Sequence, residues 1–314
     1  MSLAQLKARI DRLPSPSYRL QLGVAIAVVA TQALIAMTGA VVRVTGSGLG
    51  CPTWPECFPG SMVPVEHPEF AALNQWIEYG NRLFTGIVGL IAGAAFVLAY
   101  LHRPRDKRYL RLAAAMPVGV IVQAGIGGIT VRMDLLWWTV AVHLIASTVM
   151  VCLATLLVHA IPREGRTTQR GTRLLYVPAA LLTGVLITGT MVTGAGPHGG
   201  DPATPRLDLP VETLAHVHAA MLYTYLGTLV LLGFWLRGVA NPGIANPPWR
   251  RYRVLIAVVL AQGTVGLVQF WTGVPELLVC LHVLGAMGVI VATASLWCGV
   301  RATEQLVAKE PQTT

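Results

Sequence analysis

The most regular feature of the chain is a series of long apolar stretches separated by short polar or basic segments. An α-helix needs roughly 20 apolar residues to cross a bilayer. Eight stretches reach that length, at residues 20–42, 79–101, 110–131, 136–160, 173–193, 213–236, 252–272 and 277–300. We therefore predict an all-α membrane protein with eight transmembrane helices.

One segment of about twenty residues occurs twice. In Gln123–His143 and again in Gln262–His282, a glycine follows the first glutamine by four residues and a histidine ends the segment. The two copies lie 139 residues apart. An even number of helices in each repeat gives both copies the same orientation in the membrane. The pattern predicts two pseudo-symmetric four-helix bundles.

The polar segments set the boundaries of this organisation. Residues 1–18 form a basic cytoplasmic lead and residues 161–172 a basic cytoplasmic linker between the halves. We expect the first half, 19–160, to carry the catalytic site and the second half, 173–300, to hold a resident cofactor. Residues 301–314 form a polar cytoplasmic tail.

Composition and charge support a membrane location. The chain is 54% hydrophobic and 12% charged, whereas soluble domains carry about 25% charged residues. Basic residues concentrate at one set of alternate helix ends, which by the positive-inside rule places both termini in the cytoplasm. The four exceptions are Arg43, Arg82, Arg132 and Arg206. The basic balance therefore requires no nucleic-acid partner; at most it attracts anionic lipid.

The five cysteines divide into two groups. Cys51 and Cys57 lie in a long external loop, at about 43–77, where an oxidising compartment favours a disulfide. Whether this pair undergoes redox cycling is left open. Cys152, Cys280 and Cys298 lie inside apolar stretches, where we expect them to act as packing residues.

Helix 2 is expected to begin near Trp76, and four polar residues are then expected at one depth of the membrane: Asn81, His143, His218 and His282 each lie about five or six residues below the outer end of their helix. At 1.5 Å per residue this is roughly 8–9 Å into the hydrocarbon. Ionisable residues at such depth are costly and mark functional sites. Histidines on neighbouring helices can ligate a haem iron from both sides. The alternative is that each histidine forms an interhelical hydrogen bond.

The two halves differ at one of these positions. His218 corresponds to Asn81, and an asparagine amide is a poor iron ligand. A haem on His143 would therefore keep one face open, which suits chemistry, whereas His218 and His282 together suit electron transfer. Glu78 lies on the same helix face as Asn81 and can move protons. Its alternative role is an ion pair with Arg82.

Arginines at the outer end of the first half are candidates for binding the propionates of the substrate haem. They are Arg43, Arg82 and Arg132, and Arg206 can serve the second half. The alternative is a solvated charge at a helix end. Roles for His216 and His198 are left open.

Together these residues resemble the haem A synthase family over about 20–300. The specific part is the external cysteine loop with the Val-Thr-Gly-Ala-Gly-Pro-His sequence. The segments that carry the resemblance are Gly46–Cys57, Glu78–Arg82, Gln123–His143, Val192–Asp201, and His218 with His282.

The resemblance implies a bacterial membrane oxidoreductase that oxidises the C8 methyl group of haem O to a formyl group, giving haem A for terminal oxidases. It implies haem B on His218 and His282, an essential glutamate at Glu78 and a functional external cysteine pair. Haem O synthase would supply the substrate. The electron donor, the oxidant and the oligomeric state, a homo-oligomer included, are left open.

Two features depart from the family pattern. Asn81 stands where family members commonly have histidine, which leaves the sixth ligand of the substrate haem open. The second external loop also lacks a cysteine pair that some members carry. One rival is a membrane cytochrome b that transfers electrons without methyl oxidation. The other is a transporter built from repeats. Its helices would be broken by Gly or Pro at mid-depth, whereas the repeated glycines of this chain lie near the outer ends of the helices.

Overall fold

The computed structural model describes residues 11–163, 175–238 and 247–307, together with Gln5 and Arg9. Eight long helices account for most of the described residues. They are α1 (Tyr18–Val44), α2 (Ala72–Leu101), α3 (Lys107–Arg132), α4 (Trp137–Ala160), α5 (Tyr176–Ala195), α6 (Val211–Gly238), α7 (Pro247–Trp271) and α8 (Glu276–Val307).

All eight helices are long and apolar enough to cross a membrane, which confirms the predicted all-α fold and a multi-pass membrane protein. The described residues include one isolated β-bridge, between Phe58 and Ser61. Most of the predicted linker, 161–172, lies outside the described residues. Residues 301–307, which the sequence assigned to the tail, continue α8.

The start of α2 differs from the sequence prediction, because the helix begins at Ala72 rather than near Trp76. Its first turns contain polar residues that bond to the preceding loop. Asn74 Nδ2 donates to Gly46 O at 3.2 Å, and Gln75 Nε2 donates to Phe70 O at 3.0 Å. These hydrogen bonds satisfy side chains that apolarity alone places outside the helix.

The turn between α3 and α4 recurs between α7 and α8 with the same backbone conformation. Asp134 and Leu135 have φ of 50° and 57°, and Gly273 and Val274 have φ of 78° and 61°. The backbone hydrogen bonds also correspond: Asp134 N to Val131 O, Gly273 N to Phe270 O, Leu135 N to Thr130 O, and Val274 N to Gln269 O. The repeat seen in the sequence is therefore a structural repeat.

Each half has its own hydrophobic core, and both cores lie at the same end of the bundle. The first includes Ala92, Met116 and Leu157, and the second includes Tyr225 and Leu255. We call this the basic end, because the arginine-rich segments lie there. The opposite end, which carries the loops at 45–71 and 196–210, is called the disulfide end.

The halves meet through α1, α4 and α8, and α4 also contacts α5. A third apolar cluster, around Ala36, Val151 and Met287, fills this interface. The symmetry is incomplete, because α1 packs closely on α4 whereas the described parts of α5 and α8 show no comparable contact. The second half is therefore the more open bundle.

Candidate functional site

At the disulfide end, the interior of each half lacks a tightly packed core. No residue is buried in 79–87, 117–127 or 140–146 of the first half, nor in 215–224 or 260–278 of the second. Most of these stretches exceed two helical turns and so include the face that turns towards the bundle. Each half is therefore loosely packed at this end, and the predicted site residues lie in or beside these stretches.

Each of the three intramembrane histidines packs against a glycine of the preceding helix. A Cβ added to that glycine would lie about 3 Å from the Cε1 atom of the imidazole, closer than side chains normally approach. The pairs are Gly127 with His143 (2.9 Å), Gly189 with His218 (3.1 Å) and Gly266 with His282 (2.8 Å). The glycine thus makes room for the ring.

The repeated glutamines hold the backbone of the histidine helices. Gln262 Nε2 donates to His282 O at 2.7 Å, and Gln123 Nε2 reaches His143 O at 3.5 Å and Ser147 Oγ at 2.6 Å. The spacing of Gln, Gly and His in the sequence therefore has a physical reason: the glutamine bonds to the histidine helix, and the glycine accommodates the imidazole.

His218 is oriented by the helix before it. Its Nδ1 lies 3.0 Å from Val185 O and 3.2 Å from Thr188 Oγ1. Because a carbonyl only accepts, Nδ1 carries the proton, and the lone pair is on Nε2. Iron-ligating histidines are commonly held in this way, with the second ring nitrogen donating to a backbone carbonyl.

His282 completes a pair with His218. The two side chains are close enough to interact electrostatically. The Nδ1 atom of His282 is enclosed and has no hydrogen-bond partner among the described residues. Two imidazoles on different helices beside an open interior fit the axial ligands of a haem. The residues present are therefore compatible with the haem that the sequence predicts.

Asn81 occupies in the first half the place of His218 in the second. Thr38 Oγ1 donates to Asn81 Oδ1 at 2.7 Å, just as the equivalent Thr188 contacts the His218 ring. Since α2 begins at Ala72, Asn81 lies nine residues into its helix rather than the expected five or six. The threonine partners were missed at the sequence level, although the repeated Thr-Gly dipeptide was the available signal.

Glu78 is buried, and both of its carboxylate oxygens are hydrogen-bonded. Oε2 accepts from the backbone N–H of Cys51 at 2.7 Å, and Oε1 pairs with the Arg82 guanidinium. Arg82 in turn donates to Cys51 O at 2.8 Å and to Thr53 O at 2.9 Å. The ion pair considered from the sequence is present, and it fastens loop 45–71 to α2.

The loop itself closes over the first half. Cys51 and Cys57 form the predicted disulfide. Trp54 packs against Gly128, and Arg132 Nη2 donates to Trp54 O at 2.9 Å. Arg82 and Arg132 are thus bonded to loop carbonyls, so the structure does not gather all three predicted propionate partners around one point.

The remaining candidates lie elsewhere at the disulfide end. Arg43 lines a cavity between the halves together with Arg206 and His198. His198 Nε2 donates to Val274 O at 2.8 Å, which fixes loop 196–210 to the turn before α8. His216 is exposed and stacks edge-on against Phe270.

Comparison with known proteins agrees with these motifs. Relatives named Heme A synthase are similar to parts of the chain. The Geobacillus kaustophilus protein is 32% identical over 73 residues, 23% of this chain and 21% of that protein. The Shouchella clausii protein is 34% identical over 96 residues, 30% of each chain. The Shewanella oneidensis protein is 28% identical over 136 residues, 40% of each chain.

These alignments cover less than half of the relatives' own length. A family described as cytochrome oxidase assembly protein matches much more of the chain, over residues 23–295. The match and the named relatives confirm the resemblance to haem A synthases. Because this match runs from within α1 to within α8 and covers most of the chain, the chain belongs to the cytochrome oxidase assembly protein family.

Proposed function

We propose that this protein is a haem A synthase of the bacterial cell membrane, which oxidises the C8 methyl group of haem O to a formyl group. The reaction adds one oxygen atom to the methyl carbon and removes two hydrogen atoms from it. Support comes from the family match and from relatives named Heme A synthase. The structural observation that supports the proposal is that His218 and His282 lie close enough to interact electrostatically, in a loosely packed part of the bundle.

The second half would hold a resident haem B between His218 and His282. When bound, this group supplies one-electron transfer. The chain's own contribution is orientation, because Val185 O and Thr188 fix the His218 ring while Gly266 sets the position of His282. The sparse contact between α5 and α8 is compatible with a macrocycle bound in this half.

The first half would bind haem O as substrate. The positions that correspond to His218 and His282 are Asn81 and His143, and only His143 has an imidazole. Asn81 instead accepts a hydrogen bond from Thr38. One side of the substrate is therefore free of a strong ligand and accessible to chemistry. The exposed apolar surface of the helices allows the isoprenoid tail of haem O to lie in the lipid.

Glu78 is proposed as the group that moves protons during the successive oxidations of the methyl group. It is a buried carboxylate at the boundary between the substrate half and the external loop. Arg82 holds the carboxylate in place, and the Cys51 amide fixes its second oxygen. A proton taken up there would leave through the polar loop rather than through the membrane interior.

Haem extraction tests this function directly. The chain is produced in cells that make haem O but have no haem A synthase of their own, and extracted haems are separated by chromatography. We expect haem A in cells with the chain and only haem O and haem B in cells with the empty vector. Haem bound to the protein without any formyl product would contradict the proposal and favour the cytochrome b alternative.

A further inference from the structure

A second feature of the disulfide end lies between the halves rather than inside either one. A cavity of about 20 Å³, within a concave space of about 300 Å³ that includes open solvent, lies between α1, α4 and α5. The smaller volume is enough for a group the size of a water molecule. The cavity lining includes Arg43, Arg206, His198, Trp137 and Thr190.

Two arginines, one from each half, contribute positive charge to this cavity. Arg43 lies in the last turn of α1, and Arg206 follows α5 in the second external loop. They are close enough for each charge to repel the other. Neither forms an ion pair with a carboxylate within the described ranges 11–163, 175–238 and 247–307.

Arg206 is held but not neutralised. Its Nη2 donates to Thr193 O and Gly196 O, the carbonyls at the end of α5. Its Nε atom is enclosed and has no hydrogen-bond partner among the described residues. Burial also lowers the pKa of this guanidinium from its ordinary value. An enclosed donor without a partner is costly unless a ligand accepts from it.

The other polar groups nearby do not supply the missing negative charge. His198 uses Nε2 to donate to Val274 O, and an imidazole carries no negative charge. The loop also carries Asp201 and Asp208, but among the described residues neither forms an ion pair with Arg43 or Arg206, and the Asp201 carboxylate accepts from Ala203 N. Two like charges beside a partly closed cavity therefore favour an anion from outside the chain.

We infer that Arg43 and Arg206 together bind one anionic group at the junction of the two halves, and that this group is a propionate carboxylate of a bound tetrapyrrole. The inference rests on the proposed function for the identity of the ligand. A site built from both halves would also fix their relative position when it is occupied. A phospholipid phosphate offers the same chemistry from another source.

The test compares binding of zinc protoporphyrin IX with binding of its dimethyl ester to the full chain purified in detergent. The ester has the same ring but no carboxylate charge. We expect wild-type protein to bind the free acid about tenfold or more tightly than the ester. Arg43→Met and Arg206→Met should each lower affinity for the acid by a similar factor and leave that for the ester unchanged. Arg111→Met, on the exposed basic end, is the matched control.

Arg43→Lys keeps the charge without the guanidinium fork and guards against misfolding of the Met variant, so an intermediate loss is expected. Equal affinities for acid and ester in the wild type, or the same preference in the variants, would overturn the inference. Lipid as the source of the anion is tested by measuring Tm in nanodiscs with and without phosphatidylglycerol. The site would be assigned to a lipid phosphate if phosphatidylglycerol raises Tm, Arg43→Met abolishes this rise, and the porphyrin acid and ester bind equally well.

The two proposals fail separately. A retained acid preference in a protein that yields no haem A would leave the anion site in place and contradict the synthase activity. Haem A formation in a protein with no acid preference would support the synthase activity and contradict the anion site.

Discussion

Glycines beside the histidines are the residues that set the geometry of the candidate site. Each lies on one helix and leaves a notch for an imidazole of the next, as with Gly266 and His282. The sequence shows the spacing, but it does not show that the side of the helix with the glycine contacts the imidazole ring. That contact depends on how two helices cross, so the notch could not be derived from the repeat alone.

Alanine at Gly266 should displace His282. The added Cβ would lie 2.8 Å from the ring, whereas a Cβ at Gly263, on the same helix, would meet only Leu222 at 3.8 Å. We expect Gly266→Ala to weaken haem retention in the second half by about ten- to hundredfold. Gly263→Ala should leave it unchanged and raise Tm slightly, since alanine favours helix. Equal haem content in both variants, measured by the pyridine haemochrome spectrum, would argue against the notch.

Glu78 is placed where it can serve both the loop and the chemistry. Glu78→Gln keeps the acceptor for the Cys51 amide but removes the charge that pairs with Arg82 and the basic site for a proton. We expect haem A formation to be lost while bound haem remains. Glu69→Gln, an exposed loop substitution, is the control. Wild-type haem A yield in Glu78→Gln would exclude the proton-transfer role and leave only the structural one.

Loop 45–71 is the element whose structure depends most on contacts distant in sequence. The disulfide was predictable from its compartment and from its two nearby cysteines. The contacts of Arg82 with Thr53 O and Glu56 O join residues 26 or more positions apart. Such contacts form only once α2 begins at Ala72 and brings its polar first turns under the loop. This is also why the start of α2 was misplaced by apolarity.

Arg82 should hold this loop more strongly than the disulfide does. The ring that Cys51 and Cys57 close is small, so the disulfide contributes about 2 kcal/mol at most on the chain-entropy estimate. Arg82→Met removes hydrogen bonds to three loop carbonyls and the ion pair with Glu78. We expect faster amide hydrogen exchange at residues 51–57 in Arg82→Met than in the Cys51→Ser/Cys57→Ser double variant. The opposite order would show that the disulfide is the main constraint.

At the scale of the whole molecule, the repeat was the most predictable feature. The number of helices and the two halves followed from the apolar stretches and the spacing of Gln, Gly and His. The unequal packing of the halves did not, because α1 contacts α4 more closely than α5 contacts α8 for reasons distributed over many side chains. The proximity of Arg43 to Arg206 was also hidden, since it arises only where the halves meet.

The orientation of the bundle stays a prediction of the charge distribution. Both termini should face the cytoplasm, and loops 45–71 and 196–210 should face outside. A cysteine placed at exposed Glu69 should react with a membrane-impermeant maleimide in intact cells, and one at exposed Arg111 should react only after lysis. Labelling of the Arg111 position in intact cells would reverse the orientation.

The most direct test of the account is the electron paramagnetic resonance spectrum of the purified chain and its histidine variants. Iron held by two imidazoles gives a low-spin signal. The account predicts that His218→Ala and His282→Ala each remove that signal, whereas His143→Ala retains it and loses haem A formation. A low-spin signal that survives in His218→Ala and His282→Ala, or that disappears only in His143→Ala, would contradict the assignment of the resident haem to the second half.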